Sequence, residues 1–258
     1  MQSLRCSDGR RFLASVKDPE ALGKHLETAI SSIKCLLCSS AIATLSTSQR
    51  ILNALGGMRF SVPNRVYQVD KRIWHLNFRP GHGIYDNGKI FLKEDNWCRK
   101  TLYHEALHGV SRFSLPAVSS LGHRHLLFSE GLTEFFTGYI LFRDHKTCFE
   151  SWKRGTFEEC RLSSYKSKVK LWCTFCNFIK IDEVTKLYFW TGADSWDQTY
   201  TQFLTAIHNA GYPSFRDILN IGSDSEMLFT QECINVFGKD FQEILNSRKS
   251  LDYDLIKV

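Results

Sequence analysis

His104-Glu105-Ala106-Leu107-His108, followed further on by Ser129-Glu130-Gly131-Leu132-Thr133-Glu134-Phe135-Phe136, is the stretch on which the reading of this chain turns. Histidines four apart on a helix lie one above the other on the same face, where both imidazoles can reach one metal ion. Glu105, beside His104, faces that ion at a different angle and can take a proton from an activated water without being a ligand. A catalytic zinc also needs a third protein ligand and an open position. That third ligand can be Glu, His or Asp. The extended HExxHxxGxxH pattern would put glycine at 111 and histidine at 114; Ser111 and Ser114 stand there, which excludes it. His123 and His125 are candidate ligands in the loop before the next apolar helix, and Glu130, at the start of that helix, fits better.

Upstream of the motif the pattern is that of strands. Val66-Tyr67-Gln68-Val69 and Trp74-His75-Leu76-Asn77-Phe78 alternate β-branched or aromatic residues with others. Ile84-Tyr85 and Lys89-Ile90-Phe91-Leu92 flank Asp86-Asn87-Gly88, a hairpin signal because Asn-Gly tolerates positive φ. A small sheet therefore precedes the motif helix, which is expected from Trp97 to about Phe113. Before the sheet, Asp18-Pro19-Glu20 starts a helix running towards Ser40, and a shorter one from about Thr47 should stop at Gly56-Gly57. After the motif, Pro116, Ser119, Ser120 and Gly122 mark a loop, and an apolar helix follows from about Ser129 to Phe142. A polar stretch then reaches about Ser164. Tyr165 to Ile181, Ser195 to Ala210 and Ser225 to Phe237 read as helices, with Gly211 and Gly238 at the sites of C-terminal caps.

At 258 residues, 43% hydrophobic and 13% aromatic, the chain can bury a sizeable core and suits one large domain or two intimate lobes. The net charge of +6 comes from 33 basic and 27 acidic residues without long blocks, and no arginine-rich arm or RNA-binding aromatic signature accompanies it. Nucleic-acid binding would rest on that charge alone and is not favoured. Met1 to Lys17 lacks the apolar core of a secretory signal, and Ala29 to Leu45, which contains Lys34 and several serines, suits a buried amphipathic helix better than a membrane span. Nine cysteines, an odd number, without a signal argue for a reducing, cytoplasmic setting, with export by a dedicated machine left open. Cys35 with Cys38, and Cys173 with Cys176, have ligand-like internal spacing, but lie far apart in apolar helical patterns and read as buried free thiols.

The motif together with Ser129-Glu130-Gly131 and Glu134 resembles the gluzincin metallopeptidases, in which an HExxH helix and a Glu-bearing helix face each other across zinc. Where the aminopeptidase N-like branch has asparagine before Glu-Gly, this chain has Ser129. The resemblance covers about residues 83–142. It implies that His104, His108 and Glu130 bind one zinc ion, that Glu105 is general base and proton shuttle, and that Glu134 hydrogen-bonds the remote nitrogen of a ligand histidine. It also implies that Gly83 to Leu92 is a sheet edge for an extended peptide, and that a Tyr or His from a later helix stabilises the oxyanion. Tyr200, His208 and Tyr188 are the candidates. The Gly-Ala-Met-Glu-Asn signature of exopeptidases is missing, which favours an endopeptidase.

The expected fold is α+β and zincin-like. Residues 1–113 would hold the N-terminal helices, the small sheet and the HExxH helix, and 114–258 a helical lobe carrying the third ligand, the two forming one catalytic unit. The expected activity is zinc-dependent hydrolysis of a peptide or protein substrate. The alternative is a zincin-like regulatory protein that binds a protein partner with little general proteolysis.

Overall fold

The computed structural model describes residues 2–5, 11–14, 19–39, 66–70, 74, 83–86, 89–94, 98–111, 125–154, 165–189, 196–214 and 225–256. Helix α1 spans Pro19–Ser39, with proline in its first turn. Its buried positions, Leu26, Ala29, Ile30, Ile33 and Leu36, recur every three or four residues and form one apolar stripe. Strands β1 (Gln2–Arg5) and β2 (Arg11–Ala14) make an antiparallel pair. The expected helix from Thr47 to Gly57 lies outside the described residues.

Strands β3 (Val66–Val69), β4 (Gly83–Asp86) and β5 (Lys89–Lys93) form a sheet in the order β3-β5-β4. β5 runs parallel to β3 and antiparallel to β4, with Asp86 opposite Lys89, the register expected of a tight hairpin. Among the described residues β4 is thus an edge strand of this sheet. Trp74, expected in a strand, is helical instead: its amide donates to the Asp70 carbonyl at 2.8 Å and its indole is buried. Alternating apolar residues do not by themselves distinguish a strand from one turn of helix that buries a large ring. Residues 75–78 are outside the described set.

Helix α2 (Arg99–Val110) carries the motif and packs against β4, β5, α1 and the later helix α3 (Leu132–Asp144). The expected helix from Ser129 is present with a difference: its entry, His125–Gly131, is a π-helix that continues directly into α3. Wide turns of this kind are rare and concentrate at functional sites. The stretch read as polar contains α4 (Lys146–Arg154), which buries Phe149 and Trp152 on one face. Two aromatics three residues apart are enough to anchor so short a helix.

Beyond it the helix expected from Tyr165 to Ile181 is shorter, α5 (Lys166–Phe175), and after a turn an unanticipated helix α6 (Ile181–Phe189) begins where the expected one was to end. Helices α7 (Trp196–Asn209) and α8 (Ser225–Phe237) lie where the sequence places them. Gly211 at φ 98° and Gly238 at φ 77° have the positive φ that glycine adopts readily, just past the ends of α7 and α8. An unanticipated α9 (Lys239–Asn246) and two 3-10 turns, Arg248–Leu251 and Tyr253–Leu255, complete the described chain.

The architecture is α+β, mostly helical with a small three-stranded sheet. One hydrophobic cluster runs from Leu26 to Ile256 and includes residues from both sides of position 113. Among the described residues no helix is long and apolar enough to cross a membrane. Cys173 and Cys176 are free and buried, as their helical spacing suggests, whereas Cys35 is free but exposed, because it faces away from the stripe of α1. The side chain of Cys38 is outside the described set. Cys98, immediately before α2, is disulfide-bonded, so the thiols are not uniformly reduced.

Candidate metal centre

Helix α2 places His104 and His108 one turn apart, with their rings edge to face at 4.7 Å between centroids. The π-helix brings Glu130 against both. His104 Nε2 and His108 Nε2 are 3.0 Å apart. Glu130 Oε2 is 3.3 Å from His104 Nε2, and its Oε1 is 3.4 Å from His108 Nε2. Two ligands on a tetrahedral ion with bonds of 2.0–2.1 Å stand about 3.3 Å apart. Each imidazole nitrogen thus lies near that spacing from the other and from one of the two Glu130 oxygens, and the three side chains form a group able to hold a metal ion.

The proton positions suit the same end. Glu134, fully buried, accepts from His104 Nδ1 at 2.8 Å, so the His104 proton belongs on Nδ1 and the Nε2 lone pair is left to face the other two donor atoms. Glu134 is itself held by Lys100 Nζ at 2.7 Å and by Trp152 Nε1, which donates to Oε1 at 3.2 Å. Burial opposes its charge, but Lys100 and His104 outweigh burial and bring the carboxyl down to about 2.

His108 is oriented by hydroxyls. Its Nδ1 lies 3.4 Å from Thr133 Oγ1, which is 2.7 Å from the Tyr188 hydroxyl. Tyr188 in turn hydrogen-bonds Ser111, and Ser111 Oγ donates to the His108 carbonyl at 3.3 Å. A single donor direction satisfies the whole loop: His108 to Thr133, Thr133 to Tyr188, Tyr188 to Ser111, Ser111 back to the His108 backbone. In that direction His108 Nδ1 is the donor to Thr133, the tautomer that leaves Nε2 to a metal ion.

Without a cation this arrangement sets two imidazole lone pairs and a carboxylate against one another, and a proton is the remaining way to relieve it. Burial disfavours a charged His104, yet the hydrogen bonds to Glu130 and Glu134 and the nearby carboxylates raise its pKa to about 9. Glu130, for its part, is pulled well below the usual carboxylate range by the two histidines, against its burial.

Glu105 is buried beside them, and desolvation raises its carboxyl above the ordinary value although His104 and His108 pull it down. Its side chain lies under β4 at Gly83. A Cβ at that glycine would fall 2.7 Å from Thr101 Cγ2, 2.8 Å from Glu105 Cγ and 2.9 Å from Glu105 Oε1. Only a residue without a side chain lets the edge strand pass this close to the carboxylate.

Of the oxyanion candidates, Tyr188 is buried on the Nδ1 side of His108, away from the donor atoms. His208 is exposed in the last turn of α7. The side chains of Tyr200 and His125, and all of His123, are outside the described residues. Among the described residues, the phenol that does reach the donor set is Tyr165, just before α5. It hydrogen-bonds Glu130, and its ring is stacked 6.1 Å from that of His104. Burial and Glu130 raise its pKa. Nothing around Tyr165 in sequence marks it, whereas Lys100 could have been found as the residue one helical turn before His104. Compared with family models, with curated proteins and with solved structures, the chain matches none.

Proposed function

We propose that this chain is a zinc-dependent metallopeptidase of the gluzincin type, with a zincin-like arrangement in which α2 and the π-helix meet across the ion. The observation that carries the reading is the spacing of His104 Nε2, His108 Nε2 and the Glu130 carboxylate at 3.0, 3.3 and 3.4 Å, with Nδ1 of His104 against Glu134 and Nδ1 of His108 against Thr133. Two neutral imidazoles and one carboxylate are a donor set that suits catalytic zinc, leaving a fourth position open. Zinc held there would supply Lewis acidity, lowering the pKa of water towards about 7 and polarising a carbonyl.

The protein's own groups supply the rest. Glu105, whose carboxyl is raised by burial, is suited to accept a proton and to return it to a leaving amine. β4, the edge of the three-stranded sheet, offers its backbone to an extended peptide, and Gly83 brings that edge next to Glu105. Of the described side chains, Tyr165 is the hydroxyl suited to donate to the oxyanion, rather than His208 or Tyr188. An endopeptidase acting on a peptide or protein is the favoured form.

The test is zinc content per chain together with cleavage of a mixed peptide library, with Glu105→Gln as control. Stoichiometric zinc, and cleavage that is lost in the variant while the zinc stays, is the expected result. Absence of zinc, or unchanged cleavage by the variant, would refute the proposal.

A further inference from the structure

The segment Ser247–Ile256 has no motif, yet it reaches the back of the metal centre. Ser247 Oγ accepts from the Lys249 amide at 3.0 Å and Asp252 Oδ1 from the Asp254 amide at 3.2 Å, so each 3-10 turn is capped by its own sequence. Between them Tyr253 enters the core and is 3% exposed. Its ring stacks on Phe135 at 5.6 Å and on Phe142 at 5.8 Å, meets Phe149 edge-on at 5.4 Å and lies 6.1 Å from Trp152. Its hydroxyl donates to the Phe135 carbonyl at 2.9 Å and also hydrogen-bonds Cys173.

Two of these contacts lead to one carboxylate. Phe135 is the residue after Glu134, so the hydroxyl grips the backbone of α3 at the point where Glu134 leaves it. Trp152 is the residue whose Nε1 donates to Glu134 Oε1. Gly138 makes room for both: a Cβ there would overlap the Tyr253 hydroxyl and lie 2.6 Å from Trp152 Cη2. Helix α3 is thus indented at Gly138, Trp152 and Tyr253 fill the indentation together, and the tryptophan they seat holds the carboxylate that orients His104.

We infer that Tyr253 is a positioning residue of the metal centre, acting through Trp152 and the α3 backbone on Glu134 and thereby on His104. This rests on the reading of His104, His108 and Glu130 as metal ligands. Ligand histidines are sensitive to such support, because a partner of the remote nitrogen sets both ring orientation and basicity, and its loss commonly costs 10–100-fold in affinity.

The experiment measures the zinc dissociation constant by competition with a chromophoric chelator, for the full chain and for Tyr253→Phe, Trp152→Phe and Glu134→Gln. Tyr253→Phe and Trp152→Phe are also combined with Glu134→Gln, and the melting temperature of each metal-free protein is recorded. Tyr253→Phe is expected to weaken zinc binding roughly 3–10-fold and Trp152→Phe roughly 10-fold, and both effects should vanish in the Glu134→Gln background. Unchanged affinity in Tyr253→Phe, or the same loss with and without Glu134, overturns the inference while leaving the zinc site standing. A parent chain that binds no zinc instead overturns the metal reading itself.

Discussion

His104 Nδ1 lies 2.8 Å from Glu134 Oε2, a contact between two helices and across thirty positions of chain. It decides which nitrogen of His104 carries the proton, and so turns Nε2 towards His108 and Glu130. The carboxylate can do this because Lys100 and Trp152 occupy its other oxygen. A carboxylate without them would be buried with one oxygen unsatisfied, at a cost of about 1–3 kcal/mol or more.

Replacing Glu134 by glutamine should therefore weaken zinc binding by about 10–100-fold. The fold should persist with a lower melting temperature, since Lys100 loses its charged partner. Equilibrium dialysis beside thermal melts checks both parts. An unchanged zinc affinity would show that the contact does not serve the ion.

The metal-free protein should lose stability as the pH rises. His104 has its pKa raised from 6.5 to about 9, so the stabilisation from its proton is complete below about 6.5 and is lost as the pH climbs through about 9. The size is on the order of 3 kcal/mol. Zinc has to displace that proton, so the gain in melting temperature on adding zinc should grow between these two pH values. A gain that shrinks with pH would contradict the assignment.

Glu105→Gln keeps the side-chain shape and removes the base. Peptide cleavage should fall by about 10²–10⁴-fold with zinc content unchanged, which metal analysis and kinetics on one preparation can compare. Zinc lost together with activity would point to a role in holding the ion.

Gly83→Ala tests the approach of β4 to the site. The added methyl meets Thr101 and Glu105 at under 3 Å, so the strand or the carboxylate has to move. The expected cost is about 1–3 kcal/mol in stability, with a larger proportional loss in cleavage than in zinc affinity. Equal zinc affinity and equal cleavage would mean that the strand yields freely.

Thr133→Val breaks the hydroxyl loop behind His108 and leaves the buried Tyr188 hydroxyl short of a partner, for about 1–3 kcal/mol. Tyr188→Phe in the same background should recover part of that loss, because it removes the stranded hydroxyl. A double-variant melting series reads it directly, and simple additivity would argue against the loop.

Much of the fold was legible because its signals are local. The start of α1 at Pro19, the Asp86 to Lys89 hairpin register and the positive-φ glycines at 211 and 238 each depend on a few neighbouring residues. The helices that escaped notice, Lys146–Arg154, Ile181–Phe189 and Lys239–Asn246, are eight or nine residues long. In the first, two buried aromatics among charged residues supply all the anchoring, and composition outweighs them in any local reading. The strand expected at Trp74 failed for the converse reason: a local alternation was overruled by burial of the indole.

The site divides in the same way. The i, i+4 spacing of His104 and His108 follows from helical periodicity, and any helix with that sequence stacks two imidazoles. Glu130 and Glu134 could be proposed from their position after the motif, but their contact with α2 depends on how that helix packs against α3. The π-turn that carries Glu130, the Lys100 and Trp152 clamp on Glu134, the Tyr188 loop, Tyr165 and the Tyr253 plug arise only in three dimensions. Their partners are separated by up to 118 positions. Sequence alone determined the geometry that a single helix or turn enforces within a few bonds. Tertiary structure decided which side chains share one buried space, because that depends on the joint burial of distant apolar faces, which no short stretch of chain encodes.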